Sequence, residues 1–144
     1  LDKKERKAFW SGANNSLWYI KSSVSSTLSV RPDKSGESRN ENKELAEIKG
    51  DKQPIGNSDN PKPFTTHELP FEPGTLFYLF TDGYADQFGG PKGKKFKLKQ
   101  LKELLQANSN ITLKEQKELL HQKFQSWKGS LEQVDDVTII GIKI

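Results

Sequence analysis

The feature that most constrains this chain is the apolar run from Thr75 to Phe80, TLFYLF, which stops abruptly at Thr81-Asp82-Gly83. Its apolar residues are consecutive rather than alternating, so a strand formed here has to be covered on both faces. A chain of 144 residues has room for one domain with a modest core. The run therefore predicts a central strand whose end delivers the carboxylate of Asp82 to the edge of a sheet.

A second apolar and β-branched run, Val137 to Ile144, follows the adjacent acids Asp135 and Asp136. If this strand pairs antiparallel with the central one, these acids and Asp82 meet at one edge of the sheet. Asp86 joins them if the chain makes a helical turn, because helical positions four apart share a face. Clustered carboxylates repel one another unless a cation holds them, and hard oxygen ligands favour Mg²⁺ or Mn²⁺.

A plainer interpretation explains the same acids without a metal. Asp82-Gly83 is also a common β-turn pair, and Asp135-Asp136 can simply cap the start of the last strand. Spacing alone favours this structural interpretation over the metal site.

The first half of the chain predicts strands separated by a polar loop. KAFWSGA (7–13) and SLWYIKS (16–22) have the composition of strands, and Asn14-Asn15 between them is typical of a hairpin turn. Residues 22–43 are almost entirely Ser, Asn and charged residues, so we expect a mobile loop that cannot offset its ordering entropy. Residues 44–50 and 65–69 return to strand-like patterns.

The last third predicts two helices before the final strand. Leucines from Leu98 to Leu105 have helical spacing, and Asn108-Ser109-Asn110 stops that helix. Thr112 and Glu115 form a capping box that opens a second helix, which ends at Gly129. GGPKGKKF (89–96) fails the spacing of a phosphate-binding loop. We expect it to be a flexible, solvated basic loop near the rim of the site, with contact to a phosphoprotein substrate as the less favoured alternative.

Composition excludes several classes of protein. The chain has no cysteine, so disulfide scaffolds, thiolate metal sites and thiol nucleophiles are excluded. No apolar stretch is long enough to cross a bilayer, and we expect no membrane contact by this segment. The formal net charge of +4 is spread among interspersed charges and does not predict nucleic-acid binding. The chain begins with Leu1 rather than Met, which we interpret as a processed or cut piece of a longer protein.

TDGYADQFG (81–89), followed after a helical segment by DDVTIIGI (135–142), resembles the C-terminal half of the SpoIIE-like branch of the PP2C (PPM) metal-dependent serine/threonine phosphatases. Gly12-Ala13-Asn14-Asn15 and Pro54-Ile55-Gly56 add to the resemblance, which spans most of the chain and does not include the Ser-rich loop. It implies an α+β fold that is part of a PP2C-like α/β sandwich, with two antiparallel sheets flanked by helices. Residues 1–144 would then be the C-terminal part of one such domain.

The resemblance also implies roles for individual residues. Asp82 is similar to a ligand of the second catalytic metal, and Asp135 to its partner, with Asp136 the less favoured ligand. Asp86 is similar to an acid that helps to hold a third, weaker metal, and Gly83 lets the backbone turn beside the metals. No catalytic residue beyond these metal ligands is implied.

The implied chemistry is hydrolysis of a phosphoserine or phosphothreonine monoester in bacterial signalling. Two or three Mn²⁺ or Mg²⁺ ions in the complete domain would activate a water and offset phosphoryl charge. The expected partners are a phosphoprotein substrate and regulatory or sensor domains of the parent chain, but no nucleic acid. The expected location is cytoplasmic, with a parent protein that can be membrane-anchored.

One departure from the family pattern matters. The family's N-terminal half supplies another Asp and an Asp-Gly segment that bridges the metals, and residues 1–22 do not match them. We therefore expect weak or no turnover from residues 1–144 alone. The alternative is a non-catalytic PP2C-like module that binds a protein partner.

Overall fold

The computed structural model describes residues 1–22, 44–56, 60 and 62–144, and these residues form eight strands and three helices. The strands are β1 (Lys7–Trp10), β2 (Leu17–Ile20), β3 (Leu45–Ile48), β4 (His67–Pro70), β5 (Leu76–Phe80), β6 (Phe88–Gly89), β7 (Lys94–Lys95) and β8 (Ile139–Lys143). The helices are α1 (Gly83–Asp86), α2 (Leu98–Ala107) and α3 (Leu113–Lys128). The mobile loop predicted over 22–43 lies outside the described residues from position 23 onward and stays a prediction.

The main sheet has four strands in the order β3-β2-β5-β8. Each neighbouring pair in it is antiparallel, and β5 pairs with β8 from Leu76 opposite Lys143 to Phe80 opposite Ile139. The predicted antiparallel pairing of the central and final strands is confirmed. β5 lies inside the sheet, which explains why its sequence is apolar at every position.

Alternate residues of β5 enter two separate cores. Leu76 and Tyr78 pack with residues of α2 and α3, including Leu101 and Phe124. Phe77 packs on the opposite face, against the small antiparallel sheet formed by β1 and β4. Helices therefore cover one face of the main sheet and a second sheet covers the other, as the sequence predicted.

The two longer helices begin and end close to the predicted positions. The Thr112 hydroxyl accepts from the backbone N–H of Glu115, and the Glu115 carboxylate accepts from the Thr112 backbone N–H, so the capping box is complete. Gly129 caps the C-terminal end of α3 with φ 57°, a left-handed value that glycine adopts without steric cost. The ends of these helices could be predicted from the sequence because capping involves residues that are close together in the chain.

The predicted hairpin at Asn14-Asn15 is wrong. β1 pairs with β4, whereas β2 pairs with β3 and β5, so the two strands lie in different sheets. Asn14 adopts φ 61°, and a side chain at Gly12 would collide with the Trp10 ring. The chain thus crosses from one sheet to the other at this point, and strand composition alone cannot distinguish a crossing from a hairpin.

The structure of segment 89–96 also differs from the flexible loop that was predicted. Phe88 pairs with Lys95 and Gly89 with Lys94, which makes a short two-stranded ribbon. Its turn is closed by a hydrogen bond of 3.1 Å from the Gly93 backbone N–H to the Gly90 carbonyl. The lysines of this segment are therefore displayed on an ordered turn.

Candidate metal edge

The pairing of β5 with β8 brings the acid-bearing ends of the two strands together. The ladder continues one step past β5, where the Thr81 backbone N–H donates to the Thr138 carbonyl at 3.0 Å. Asp82 follows this last bonded residue, and Asp135 and Asp136 precede β8, so all three acids lie at one end of the sheet. We call these three residues the carboxylate edge.

The backbone at the carboxylate edge is held in place by Thr81 and Gly83. The Thr81 hydroxyl donates to the Asp136 carbonyl at 2.9 Å and accepts from the Thr138 N–H at 3.0 Å. Gly83 packs directly on the same Asp136 carbonyl, and a Cβ there would collide with its oxygen and lie 3.0 Å from its carbon. The strand ends are thus fixed against each other, and glycine is required for the close approach.

The side chains of these acids are much less constrained than their backbone. Asp82 begins α1 with helical dihedrals (φ −73°, ψ −16°), yet its exposed carboxylate makes no capping hydrogen bond. One oxygen of Asp135 accepts from the Asp136 backbone N–H at 2.7 Å. In the described part of the chain, no ion pair includes Asp82, Asp135 or Asp136. Carboxylates held at one edge without a cation partner are free to accept one.

Asp86 lies one helical turn after Asp82, as predicted, but its side chain is already paired. Its backbone N–H donates to the Asp82 carbonyl at 2.9 Å, which closes α1. Its carboxylate contacts the Lys95 ammonium at 2.9 Å, and both side chains are about half exposed (45% and 46%). A metal at Asp86 would have to displace a lysine that is held nearby by the pairing of β6 with β7.

The donor set fits part of a divalent metal site. Asp82 and Asp135 offer hard carboxylate oxygens, the ligands that Mg²⁺ and Mn²⁺ prefer. Over the ranges that the structure describes, however, no group of three or more His, Cys, Asp or Glu residues is arranged to hold a metal ion. These residues on their own therefore supply an incomplete coordination sphere.

Behind the carboxylate edge lies a buried amide that the sequence did not indicate. The side chain of Gln87 has no solvent exposure and joins its own segment to residues 132–134. Its NH₂ group donates to the carbonyls of Phe88 (3.0 Å) and Glu132 (2.9 Å), and its side-chain oxygen accepts from the Val134 backbone N–H at 3.3 Å. Gln87 thereby fixes the segment that leads into Asp135.

Two buried tyrosines complete this support. The Tyr84 hydroxyl donates to the Leu120 carbonyl at 2.9 Å, and the Tyr78 hydroxyl donates to the side-chain oxygen of Gln116 at 2.8 Å. Burial raises the pKa of both phenols above the ordinary value of 10. Both therefore stay neutral hydrogen-bond donors, and they tie α1 and β5 to α3.

Comparison with known proteins identifies the family. The family model described as Stage II sporulation protein E (SpoIIE) matches residues 15–144. The chain belongs to the SpoIIE family. This match covers both strands of the carboxylate edge and all three helices.

The fold of this SpoIIE chain also matches a solved structure, the SiaA-PP2C domain of Pseudomonas aeruginosa, with a TM-score of 0.78 and 28% sequence identity. The match covers 99% of this chain and 48% of that one, so the chain spans about half the length of the structure it matches. The predicted family and the predicted α+β, PP2C-like fold are confirmed. No curated protein matches the chain. None of the helices built from the described residues combines the length and apolar character of a membrane span.

The same end of the sheet holds a second polar group in this SpoIIE chain. Trp18 pairs with Tyr78 and Leu17 with Ile48, so the residues before β2 and after β3 lie at the end where Asp82 lies. Among them, Asp51 accepts from the backbone N–H of Thr65 at 2.7 Å and from its hydroxyl at 3.1 Å. The Asp51 carboxylate is therefore used in loop structure, unlike that of Asp82.

Proposed function

We propose that residues 1–144 supply one half of a divalent-metal centre that hydrolyses phosphoserine or phosphothreonine monoesters of a protein substrate. Membership of a phosphatase-like family supports the reaction class. The observation that carries the residue assignment is the fixed backbone of Thr81-Asp82-Gly83 against Asp135-Asp136, whose carboxylates form no ion pair with any described residue. We assign Asp82 and Asp135 as metal ligands and the Gly83 backbone as the turn that brings them together.

The residues of this chain have defined tasks in the proposal. When bound, Mn²⁺ or Mg²⁺ activates water for attack on phosphorus and offsets charge on the phosphoryl oxygens. Asp82 and Asp135 hold cations at the edge, and Thr81 keeps the distance between the two strands constant. Asp135 fills the first place of the Asp-Asp pair of the family pattern, so we give the carboxylate of Asp136 a secondary role. Asp86 holds at most a weak third ion, since Lys95 competes for its carboxylate.

The reaction as a whole needs ligands beyond this half. The described residues contain no group of three or more metal-binding side chains, and the chain spans about half of the structure it matches. We therefore propose that these residues alone bind metal weakly and turn over little or no substrate. The parent protein would act in bacterial cytoplasmic signalling, with sensor or regulatory domains that control access to the substrate.

A second function is favoured by the same incomplete donor set. The chain could act as a non-catalytic PP2C-like module that binds a partner protein, with its acids serving the fold. The ion pair between Asp86 and Lys95 supports this alternative, because it satisfies one acid without metal. Metal binding separates the two functions, since only the enzyme requires it.

The test is a Mn²⁺ titration of the full-length protein with matched single substitutions. We expect Asp82→Ala and Asp135→Ala each to lower metal affinity and to reduce phosphopeptide hydrolysis by at least about a hundredfold, because each removes a charged ligand. Asp136→Ala should reduce hydrolysis less. Glu118→Ala, which removes an exposed acid on α3, is the control and should behave like the wild type.

Stability measurements decide how a loss of activity is interpreted. The Asp82 carboxylate makes no capping bond, so Asp82→Ala should change the free energy of unfolding by less than about 0.5 kcal/mol. Wild-type hydrolysis in Asp82→Ala would reject the metal assignment. Unfolding of that variant would instead show that Asp82 serves the fold.

A further inference from the structure

A groove of about 710 Å³ lies between the turn after β6 and the C-terminal end of α3. Gly89, Gly90 and Gly93 form one wall, and the segment from Lys123 to Leu131 forms the other. Its volume is within the range of ligand-binding clefts. Nothing in the proposed hydrolysis uses this groove.

The groove has an ordered floor made by Trp127. The Gly90 backbone N–H donates to the Trp127 carbonyl at 2.8 Å, and the indole N–H donates to the Gln87 carbonyl at 3.1 Å. The Phe96 ring packs edge-on against the indole with ring centres 5.3 Å apart. A side chain at Gly89 would collide with the Trp127 carbonyl. The backbone at Gly89 can therefore approach α3 this closely only because glycine has no side chain. The groove is therefore preformed.

The charge of the groove is positive. Lys123 and Lys128 line it, and no Asp or Glu of the described chain does. The exposed Lys92 and Lys94 do not line the groove themselves but neighbour Pro91 and Gly93, which do. In the part of the chain that the structure describes, none of these four lysines takes part in an ion pair. Unpaired cations in one wall of the groove and beside the other attract an anionic partner.

The C-terminal end of α3 repels an anion, because helix C-termini carry partial negative charge. Two features reduce this effect: the Gly129 N–H caps the Gln125 carbonyl, and the positive charge of Lys128 lies in the last turn of α3. The net charge of the side chains that line the groove is therefore positive, from Lys123 and Lys128.

The groove lies close to the carboxylate edge. Leu131 lines the groove, and Asp135 follows four residues later, so the two are at most about 14 Å apart along an extended chain. Gln87 bonds both to Glu132 and to Val134 within this connection, which fixes the groove relative to the edge. About four or five residues of an extended peptide span the same distance.

We propose that this groove binds an acidic segment of the phosphoprotein substrate, about four residues from the phosphorylated side chain. The inference rests on the proposed function and adds a substrate class to it: phosphoproteins with acidic flanking sequence. A peptide is favoured over nucleic acid, because single-stranded nucleic acid requires aromatic faces for base stacking. The Trp127 ring is instead only partly exposed, because it packs against Gly90 and Phe96.

The experiment compares two double substitutions on the same helix. Lys123→Gln/Lys128→Gln removes two charges at the groove, and Lys114→Gln/Lys117→Gln removes two at the other end of α3. The probe is a fluorescein-labelled phosphoserine peptide with acidic flanks, and its partner probe has glutamine in place of each acid. Anisotropy is measured with full-length protein in chelator-containing buffer, so that the result does not depend on metal or turnover.

We expect the acidic probe to bind more tightly than the neutral one. The groove variant should weaken binding by about tenfold and the control variant by less than about twofold, with the difference disappearing near 0.5 M salt. Unchanged affinity in the groove variant, or equal binding of both probes, would overturn the proposal. Stronger binding of single-stranded DNA than of the acidic peptide would also overturn it and assign the groove to nucleic acid.

The outcome is separable from that of the proposed function. Asp82→Ala should leave the ratio of affinities for the acidic and the neutral probe unchanged, because both probes carry the same phosphoserine and Asp82 does not line the groove. Binding that persists while hydrolysis is absent in the wild type contradicts only the phosphatase proposal. Hydrolysis that depends on Asp82 but not on the groove lysines contradicts only the docking proposal.

Discussion

Two polar regions only a few residues apart along the chain are built in opposite ways. Gln87 is fully buried, and its side-chain amide contacts three backbone groups. Asp82 is exposed, and its carboxylate does not even cap the helix that it begins. The fold thus uses one polar side chain completely and leaves the other free. Fixed backbone combined with free carboxylates is the arrangement expected where a ligand, and not the protein, completes the interactions.

The largest expected effect comes from removing the buried amide. Gln87→Leu keeps the approximate size of the side chain but removes its hydrogen bonds to the Phe88 and Glu132 carbonyls and to the Val134 N–H, at about 0.5–1.5 kcal/mol for each bond. We expect a loss of about 3 kcal/mol in the free energy of unfolding, measured by urea denaturation. Gln122→Leu, at an exposed position of α3, is the control. If Gln87→Leu changed the free energy of unfolding by less than about 0.5 kcal/mol, the Gln87 amide would not stabilise the fold, and the contrast with Asp82 would be wrong.

The next effect tests the close approach of the two strand ends. Gly83→Ala places a methyl group against the Asp136 carbonyl, and overpacking of this kind costs about 1–3 kcal/mol. We expect a loss of about 2 kcal/mol in the free energy of unfolding, together with weaker Mn²⁺ binding, because the Asp135-Asp136 segment has to move. Tolerance of alanine with normal metal binding would mean that the edge is less rigid than the structure indicates.

Gly93→Ala provides the comparison for that measurement. Gly93 has open space around it but a φ of 56°, so an alanine there reports only the conformational cost of about 1 kcal/mol. It should leave Mn²⁺ binding unchanged. A metal effect equal to that of Gly83→Ala would mean that the Gly83 result reflects general destabilisation.

A smaller effect is expected at Thr81, which fixes the edge through its hydroxyl alone. Thr81→Val preserves the shape but removes the bonds to the Asp136 carbonyl and the Thr138 N–H, and we expect a loss of about 1 kcal/mol in the free energy of unfolding. Thr138→Val is the matched control, since only the backbone of Thr138 takes part in these bonds. Equal losses in the two variants would show that β-sheet propensity, and not the hydroxyl, is being measured.

The carboxylate edge could be predicted from the sequence because each of its parts is encoded locally. An apolar run indicates where each strand lies, and the acids stand directly after one run and directly before the other. The only tertiary assumption was that the strands are antiparallel neighbours, which the pairing of β5 with β8 confirms. The roles of Asp82, Gly83, Asp86, Asp135 and Asp136 toward metal stay a prediction.

Gln87 and the path of residues 11–16 could not be predicted in the same way. Gln87 follows an acid and precedes Phe88, a context that fits a surface position as well as a buried one. Its partners Glu132 and Val134 lie more than forty residues away, so no local pattern reports them. The crossing at Asn14 likewise depends on which strands pair with β2. Long-range hydrogen bonds decide both features.

The smallest expected effect concerns Glu115, whose carboxylate, unlike that of Asp82, makes hydrogen bonds at the start of its helix. Hydrogen bonds from the Thr112 backbone and hydroxyl hold the pKa of Glu115 below its ordinary value of 4.5. A carboxyl group with a lowered pKa in the folded state stabilises the protein above its unfolded pKa, and this contribution is lost as the pH falls through the lower, folded value. Glu115→Gln keeps a hydrogen-bonding side chain at the cap but cannot titrate.

We therefore expect the difference in Tm between wild type and Glu115→Gln to be constant above about pH 5 and to shrink in acid. Thermal melts by circular dichroism between pH 7 and pH 3 measure it, with Glu118→Gln on the same helix as the control. A difference that persists unchanged at pH 3 would show that the ionised form of Glu115 does not stabilise the cap. The contribution of Glu115 to the cap would then come from hydrogen bonds that do not require its charge, and its contrast with Asp82 would rest on the geometry of the cap.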